Sequence, residues 1–429
     1  MKKVRVLVFP CGTEIGLEIH NSLKFSRLVK LYGANSIPDH GKFVYRNYIE
    51  GVPFFYNRDF VKSIKRIVKE KNIDLIFPAH DGVIVKIVQE KSLHEKIITS
   101  PLKTCVICRS KNKTYKYFNS LLRVPKVYLP SDRNITFPVF LKPDIGQGTR
   151  GTHIADSYED LKYYLKKDPT LLILEFLPNR EYTVDCFTDR HGVLRFVGPR
   201  IRARISYGIS VNSYPAENAK FEEIAQIINK NLRFRGVWFY QVKETKEKDL
   251  VLMEIAPRVG GSMGLTRNSG INLPLLAVYD ALDMDILIHR NSHHVEIDRA
   301  LITRFKVKLQ YKHVYIDYDD TVLIDKETNP WIMPFLYQCI NKKIKLHLLS
   351  RHQKTYGELV NESLNKHRLN QIFDEIINVS DEKEKHEYIT KRNAIFIDDS
   401  FLERKKVSDA LKIPVFDIHE VESLVDWKY

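Results

Sequence analysis

The chain has 429 residues, 68 Lys+Arg against 53 Asp+Glu for a net charge of +15, and 44% hydrophobic residues. A single core stops growing below that length, so two or three domains are expected. No run of about 18 apolar residues is present, and Met1-Lys2-Lys3 leads straight into a strand pattern, which argues against a membrane span and a signal peptide.

Five cysteines without a regular framework fit a reducing compartment, so a soluble, cytoplasmic protein is expected. Cys105-Val106-Ile107-Cys108 lacks the second pair that a zinc site needs. From Val314 onward 17 Lys+Arg face 21 Asp+Glu, so the basic excess lies in the first three quarters. It suits an anionic ligand: a nucleotide, phosphate or carboxylate. The lysines are scattered along helical segments such as Val61 to Lys71 and not gathered with aromatics, which argues against a nucleic-acid groove.

In chain order, Val4 to Phe9 reads as a strand, and Pro10 to Gly16 turns it into a helix starting near Leu17. A further βα alternation brings the buried strand Ile73 to Phe77 into Pro78-Ala79-His80-Asp81-Gly82, giving a Rossmann-like opening domain over 1–105. The Gly12 to Gly16 spacing is not that of a dinucleotide site.

Phe137 to Pro143 then sets Lys142 at a strand end, followed by Gly146-Gln147-Gly148-Thr149-Arg150-Gly151. Glycines let backbone N–H groups close on phosphate oxygens while a nearby lysine offsets their charge, so this reads as a mobile phosphate flap. Leu171 to Leu174 leads into Glu175-Phe176-Leu177, where a carboxylate or backbone group can bond an adenine edge, and Glu181 can take ribose hydroxyls. Gly236 to Val242 and Leu250 to Ile255 read as two strands joined by a charged hairpin, with Gln241 and Glu254 facing one ligand as Mg²⁺ requires. Arg200, Arg202 and Arg204 alternate along one strand, as an anion-holding row or a solvated sheet face.

This series resembles the ATP-grasp superfamily over about residues 1 to 305, closest to its carbamoyl-phosphate synthase large-subunit and D-alanine ligase branches. The resemblance implies an ATP-grasp domain over 106–308. Lys111 and Lys142 would contact ATP phosphates under a flap containing Gly146, Gly148 and Gly151. Glu175, Phe176 and Leu177 would meet the adenine, Glu181 the ribose, and Gln241 and Glu254 the magnesium, with Mn²⁺ as an alternative. Arg258, just beyond the metal strand, would stabilise the transferring phosphoryl group. One departure is Glu254-Ile255-Ala256-Pro257-Arg258, where the family has Asn before Pro; Ala256 offers no oxygen ligand.

Near the end, the run Val314-Tyr315-Ile316 delivers Asp317-Tyr318-Asp319-Asp320-Thr321, two carboxylates arriving together from one strand. One could attack phosphorus and the other protonate the leaving oxygen, provided a divalent cation offsets their charge. Ile344 to Leu349 ends in Ser350; Lys385 and a third strand, Ala394 to Ile397, ending in Asp398-Asp399, follow. In order and chemistry this resembles the haloacid dehalogenase (HAD) superfamily of phosphatases. It implies a parallel α/β domain over 309–429, with Asp317 as nucleophile, Asp319 as acid/base, Ser350 and Lys385 at the phosphate, and Asp317, Asp319 (through its carbonyl) and Asp398 holding Mg²⁺. Lys383 competes with Lys385, and Asp399 with Asp398. Only 28 residues separate Thr321 from Ser350 and 34 separate Ser350 from Lys385, so the domain is expected to be capless.

The combined expectation is a mixed α/β and α+β bifunctional enzyme. Its partners would be a small-molecule carboxylate, an amine and a phosphorylated metabolite, with no membrane partner and homo-oligomerisation left open. The alternatives are a small-molecule kinase opposed by the phosphatase, or a nucleotide-binding regulator, which Ala256 favours.

Overall fold

A computed structural model describes residues 3–146, 148–291, 293–352 and 359–428. Gln147 of the glycine flap lies outside them. The chain divides into two compact units, one running to Leu301 and the other spanning Ile302–Lys428. No helix among the described residues is long and apolar enough to cross a membrane.

The first unit opens with β1 (Val4–Phe9), β2 (Val29–Ala34), β3 (Asn47–Ile49) and β4 (Leu75–Pro78), a parallel sheet ordered β3-β2-β1-β4. Val6, Leu7, Val8 and Ile76 are fully buried, consistent with a sheet covered on both faces. Each such side chain contributes roughly 1.5–3 kcal/mol. The strand order reverses between β1 and β4, the place where α/β sheets open a crevice outside their carboxyl ends. The first helix spans Glu14–Leu23, three residues ahead of the sequence expectation, because the Thr13 hydroxyl accepts the Gly16 N–H and Glu14 sits favourably in the first turn. Glycine is required at Gly16, where a Cβ would lie 2.5 Å from the Cys11 carbonyl oxygen.

Next come β5 (Val127–Tyr128), β6 (Val139–Lys142), β7 (His153–Ala155) and β8 (Leu172–Glu175), an antiparallel sheet ordered β5-β8-β6-β7. A six-stranded antiparallel sheet follows, with β9 (Glu181–Thr188), β10 (Leu194–Ser206), β11 (Ile209–Pro215), β12 (Gly236–Glu244), β13 (Leu250–Ala256) and β14 (Ile297–Asp298) in the order β13-β12-β9-β10-β11-β14. Its core is aromatic: buried Trp238 stacks on Phe234 at 4.2 Å, and its indole N–H donates to the Thr188 hydroxyl at 2.8 Å.

In the second unit, β15 (His313–Ile316) is central. A short hairpin, β16 (Leu323–Ile324) with β17 (Glu327–Thr328), precedes β18 (Lys345–Ser350), β19 (Glu375–Asn378), β20 (Ala394–Ile397) and β21 (Val415–Phe416). The five main strands are parallel in the order β19-β18-β15-β20-β21. Val314, Ile316, Leu346, Leu348, Ile395 and Ile397 are all fully buried and pack in one cluster. Since β18 and β20 flank β15, the residues after these three strands emerge side by side.

Candidate functional site

The first unit encloses a cleft of about 1020 Å³ whose lining brings together Lys111, Gly146, Gly148, Gln241, Glu254 and Arg258. Lys142, Gly151, Glu175, Phe176, Leu177 and Glu181 are not among the residues that line it. Gln241 and Glu254 are direct partners across the β12–β13 pair, which puts both side chains on one face. The Gln241 amide donates to the Thr183 hydroxyl at 3.4 Å. Ala256, two residues beyond Glu254, also lines the cleft and is 5% exposed.

The flap is anchored at both sides. Asp144, just beyond β6, accepts from the Ser110 hydroxyl at 2.8 Å and from the Asn112 N–H at 2.8 Å. Ser110 caps the helix Lys111–Phe118, so this knot sets Lys111 beside the flap, where its Nζ donates to the Asp144 carbonyl at 3.3 Å. Opposite lies the β10–β11 turn: Gly208 has φ +76, and a Cβ there would come within 2.4 Å of the Thr149 nitrogen. Buried Lys142 has its Nζ 5.6 Å from the Tyr115 ring centre. Burial, joined by the charge of Lys111, pushes its pKa down to about 8.

Several side chains are committed elsewhere. The Glu175 carboxylate accepts from Arg123 Nη2 at 2.7 Å and from the Lys126 N–H at 3.1 Å. Phe176 lies beneath Lys243 at 6.0 Å, and Leu177 is buried. Glu181 pairs with Arg202 at 2.7 Å. The alternating arginines divide: the Arg200 and Arg202 side chains are buried and line the cleft, whereas Arg204 is exposed. Arg200 pairs with fully buried Asp185 at 2.5 Å and Arg204 with Asp298 at 2.8 Å, so each charge is already matched within the sheet. A bulge after Arg202 breaks the strict alternation.

Two further pairings escape sequence reading. Arg258, over the Phe239 ring at 5.1 Å, grips Asp81 with Nε at 2.6 Å and Nη2 at 3.0 Å. Arg299 holds Glu14 at 2.6 Å. Arg258 and Asp81 are 177 positions apart, and no local signal joins them.

In the second unit, buried Lys385 donates to Asp317 Oδ1 at 2.8 Å and Asp398 Oδ2 at 2.6 Å. Burial drives the Asp317 carboxyl up, the Lys385 ammonium opposes that, and neighbouring Asp398 adds to it; Asp398 is raised by burial too. Carboxylate oxygens of Asp317, Asp398 and exposed Asp399 lie within 4.8 Å of one another. The donor set is the hard oxygen type that Mg²⁺ takes, and a cation there would favour the ionised carboxylates that burial disfavours. Lys385 starts the short helix Lys385–Tyr388 and points inward, whereas Lys383 lies 5.9 Å over the Tyr388 ring, which separates the two candidate lysines. The Asp319 carboxylate is 2.7 Å from Nδ1 of buried His352, and the Ser350 hydroxyl oxygen accepts the His352 N–H at 2.9 Å. A lone His after the Ser gave no sign of this contact.

Residues 167–305 match the family model described as "ATP-grasp in the biosynthetic pathway with Ter operon". A carbamoyl phosphate synthase large chain from Clostridium perfringens is 30% identical over 159 residues, which is 33% of this chain and 15% of that protein. The chain thus spans well under a quarter of the length of this relative. Among solved structures, the biotin carboxylase of Campylobacter jejuni aligns with a TM-score of 0.58 at 16% identity, over 69% of this chain and 75% of that one. The N5-carboxyaminoimidazole synthetase of Staphylococcus aureus, complexed with ADP, aligns with a TM-score of 0.57 at 14% identity, over 67% and 79%. Together these give the chain a mixed α/β fold with ATP-grasp structural neighbours and a local sequence likeness to carbamoyl phosphate synthase large chains.

Proposed function

We propose that the first unit is an ATP-dependent ligase that joins a carboxylate to an amine through an acyl-phosphate, and that the second is a Mg²⁺-dependent phosphomonoesterase. Residues 1–105 and 106–308 would be the two domains of the ligase and 309–429 the phosphatase. The observation carrying the first reading is the direct opposition of Gln241 and Glu254 inside a cleft shared with Lys111, the glycine loop and Arg258. When bound there, Mg²⁺ offsets the charge of the triphosphate. Lys111 and Lys142 hold and neutralise phosphate oxygens, the flap excludes water that would hydrolyse the acyl-phosphate, and Arg258 steadies the oxygens of the moving group. The local sequence likeness to carbamoyl phosphate synthase supports an ATP-dependent reaction without naming this substrate, and biotin carboxylase shares the fold.

The phosphatase reading rests on Lys385 bridging Asp317 and Asp398 with a third carboxylate near. Asp317 attacks phosphorus, Asp319 passes a proton to the leaving oxygen and later takes one from water, and Lys385 orients the nucleophile and offsets its charge.

Product analysis with Mg-ATP, candidate carboxylates and amines tests the ligase. Amide with ADP and phosphate supports it, a phosphoester makes the unit a kinase, and nucleotide binding without turnover, which Ala256 favours, makes it a regulator. Lys142→Ala and Glu254→Ala should each abolish ATP consumption and leave aryl-phosphate hydrolysis intact; wild-type ATP turnover by Glu254→Ala would remove the metal assignment.

A further inference from the structure

We propose that His80 is a neutral hydrogen-bond donor in the cleft, fixed in one tautomer by the helix it caps and serving an anionic oxygen of the non-nucleotide substrate. Only the class of that anion, a carboxylate, rests on the ligase reading.

His80 follows β4 at the strand-order reversal and is the N-cap of the eight-residue helix Asp81–Val88, with an extended backbone at φ −158 and ψ 135. The Gly82 N–H donates to His80 Nδ1 at 3.0 Å. A backbone N–H has no lone pair to offer, so Nδ1 must be the unprotonated nitrogen, and the neutral ring carries its proton on Nε2. Histidine here does what Asn or Ser does at other caps, and its second nitrogen is thereby committed to donate.

The ring is also fixed in place. It packs against Phe55 at 5.1 Å between centres, and Phe55 is seated on the same turn so closely that a Cβ on Gly82 would lie 2.6 Å from its ring. His80 and Asp81 both line the cleft, and among the described residues His80 Nε2 makes no hydrogen bond. Burial holds the imidazole below its usual 6.5, Asp81 pulls it back up, and Arg258 and Arg109 push it down again. Protonation would also cost the cap, since Nδ1–H cannot accept from Gly82.

A base would need its lone pair on the cleft side, and His80 has given that lone pair to its own helix. The free nitrogen can only donate, so it selects an oxygen acceptor and rejects an ammonium group. Arg109, which shares the cleft lining, points to the same ligand class, a small anion, while the charge of Arg258 is shared with Asp81. A neutral donor adds hydrogen bonding without further positive charge, a pattern known from helix-capped electrophilic histidines.

Two substitutions separate cap from donor. His80→Asn keeps an acceptor for the Gly82 N–H and removes the distal donor; His80→Gln reaches the Nε2 position with an amide N–H and loses the cap geometry. The probe is acetate, titrated in the presence of Mg-ADP, with ¹⁵N spectra of the imidazole rings at neutral pH. The expected spectrum has an Nε2–H ring that is missing from His80→Asn. Acetate affinity should fall about ten- to a hundredfold in His80→Asn, the range for a hydrogen bond to a charged group. It should stay within about threefold of wild type in His80→Gln, whose melting temperature falls instead. An Nδ1–H ring, equal acetate affinity in wild type and His80→Asn, or no acetate binding by wild type would each overturn the proposal. If wild type shows the Nε2–H ring and binds acetate but not Mg-ADP, the nucleotide reading falls and His80 stands.

Discussion

Lys142 is the residue whose burial works most directly against its proposed task. Removing an ammonium from water favours its neutral form and brings the pKa to about 8, while a phosphate oxygen wants the charged one. Nucleotide binding must then raise the pKa and take up a proton. The sign follows: Mg-ADP affinity should be constant below about pH 8 and decline above it, and calorimetry in buffers of different ionisation enthalpy should show proton uptake near pH 8. Lys142→Arg should show no decline over that range, because guanidinium does not titrate there. Affinity that is flat to pH 9.5 in wild type would detach Lys142 from the phosphates. In the second unit, Asp317→Asn keeps the side-chain shape and removes the nucleophile, so aryl-phosphate hydrolysis should drop by several orders of magnitude. Asp319→Asn should stall after the first step and carry phosphate on Asp317, visible as an added phosphate by intact mass in acid. Phosphate on Asp317→Asn, or its robust turnover, would refute the assignment.

At the level of elements, the touching backbones of the flap and the β10–β11 turn allow a controlled comparison. Gly208 and Gly51 have nearly the same φ, +76 and +77, but a Cβ at Gly51 meets nothing within 4 Å while one at Gly208 meets the Thr149 nitrogen and Gly148. Alanine at either should cost about 1–2 kcal/mol of stability through the left-handed backbone. Only Gly208→Ala should also raise KM for ATP, because only there is the flap displaced; equal KM values for the two variants would show that the contact does not position it. Strands were the most legible elements: the apolar runs at Val4, Val314, Ile344 and Ala394 fall within a residue or so of β1, β15, β18 and β20. The Gln241–Glu254 opposition was readable for the same reason, since a period of two fixes faces once the hairpin is seen. The start of the first helix was hidden because the cap at Thr13 lies ahead of the apolar pattern. The sequence put Lys385 at the phosphate with Lys383 as its competitor; in the structure Lys385 opens a four-residue helix and reaches Asp317 and Asp398. The contacts of Glu175 with Arg123, of Arg202 with Glu181 and of His352 with Asp319 are tertiary, and composition carries no trace of them.

Across the whole molecule, the first unit closes on itself through pairs distant in sequence: Arg258 with Asp81, Arg267 with Glu18, and Arg299 with Glu14. Asp81→Asn strips a largely buried guanidinium of its partner and should destabilise the first unit by roughly 3 kcal/mol, with aryl-phosphate hydrolysis by the second unit unchanged. Denaturation followed by a first-unit tryptophan, Trp238, measures the loss, and an unshifted transition would show that the pair contributes nothing net. The same fork bears on what Arg258 can do for a ligand. Its Nε and Nη2 are taken up by one carboxylate, so any incoming anion faces a rival tethered permanently at its side. Nη1 donates to the Val259 carbonyl, so an anion reaches this arginine only through the two N–H groups left over, beside a carboxylate that already shares its charge. The orientation of the helix after β4 and the reach of Arg258 into the cleft are thus set by a single ion pair.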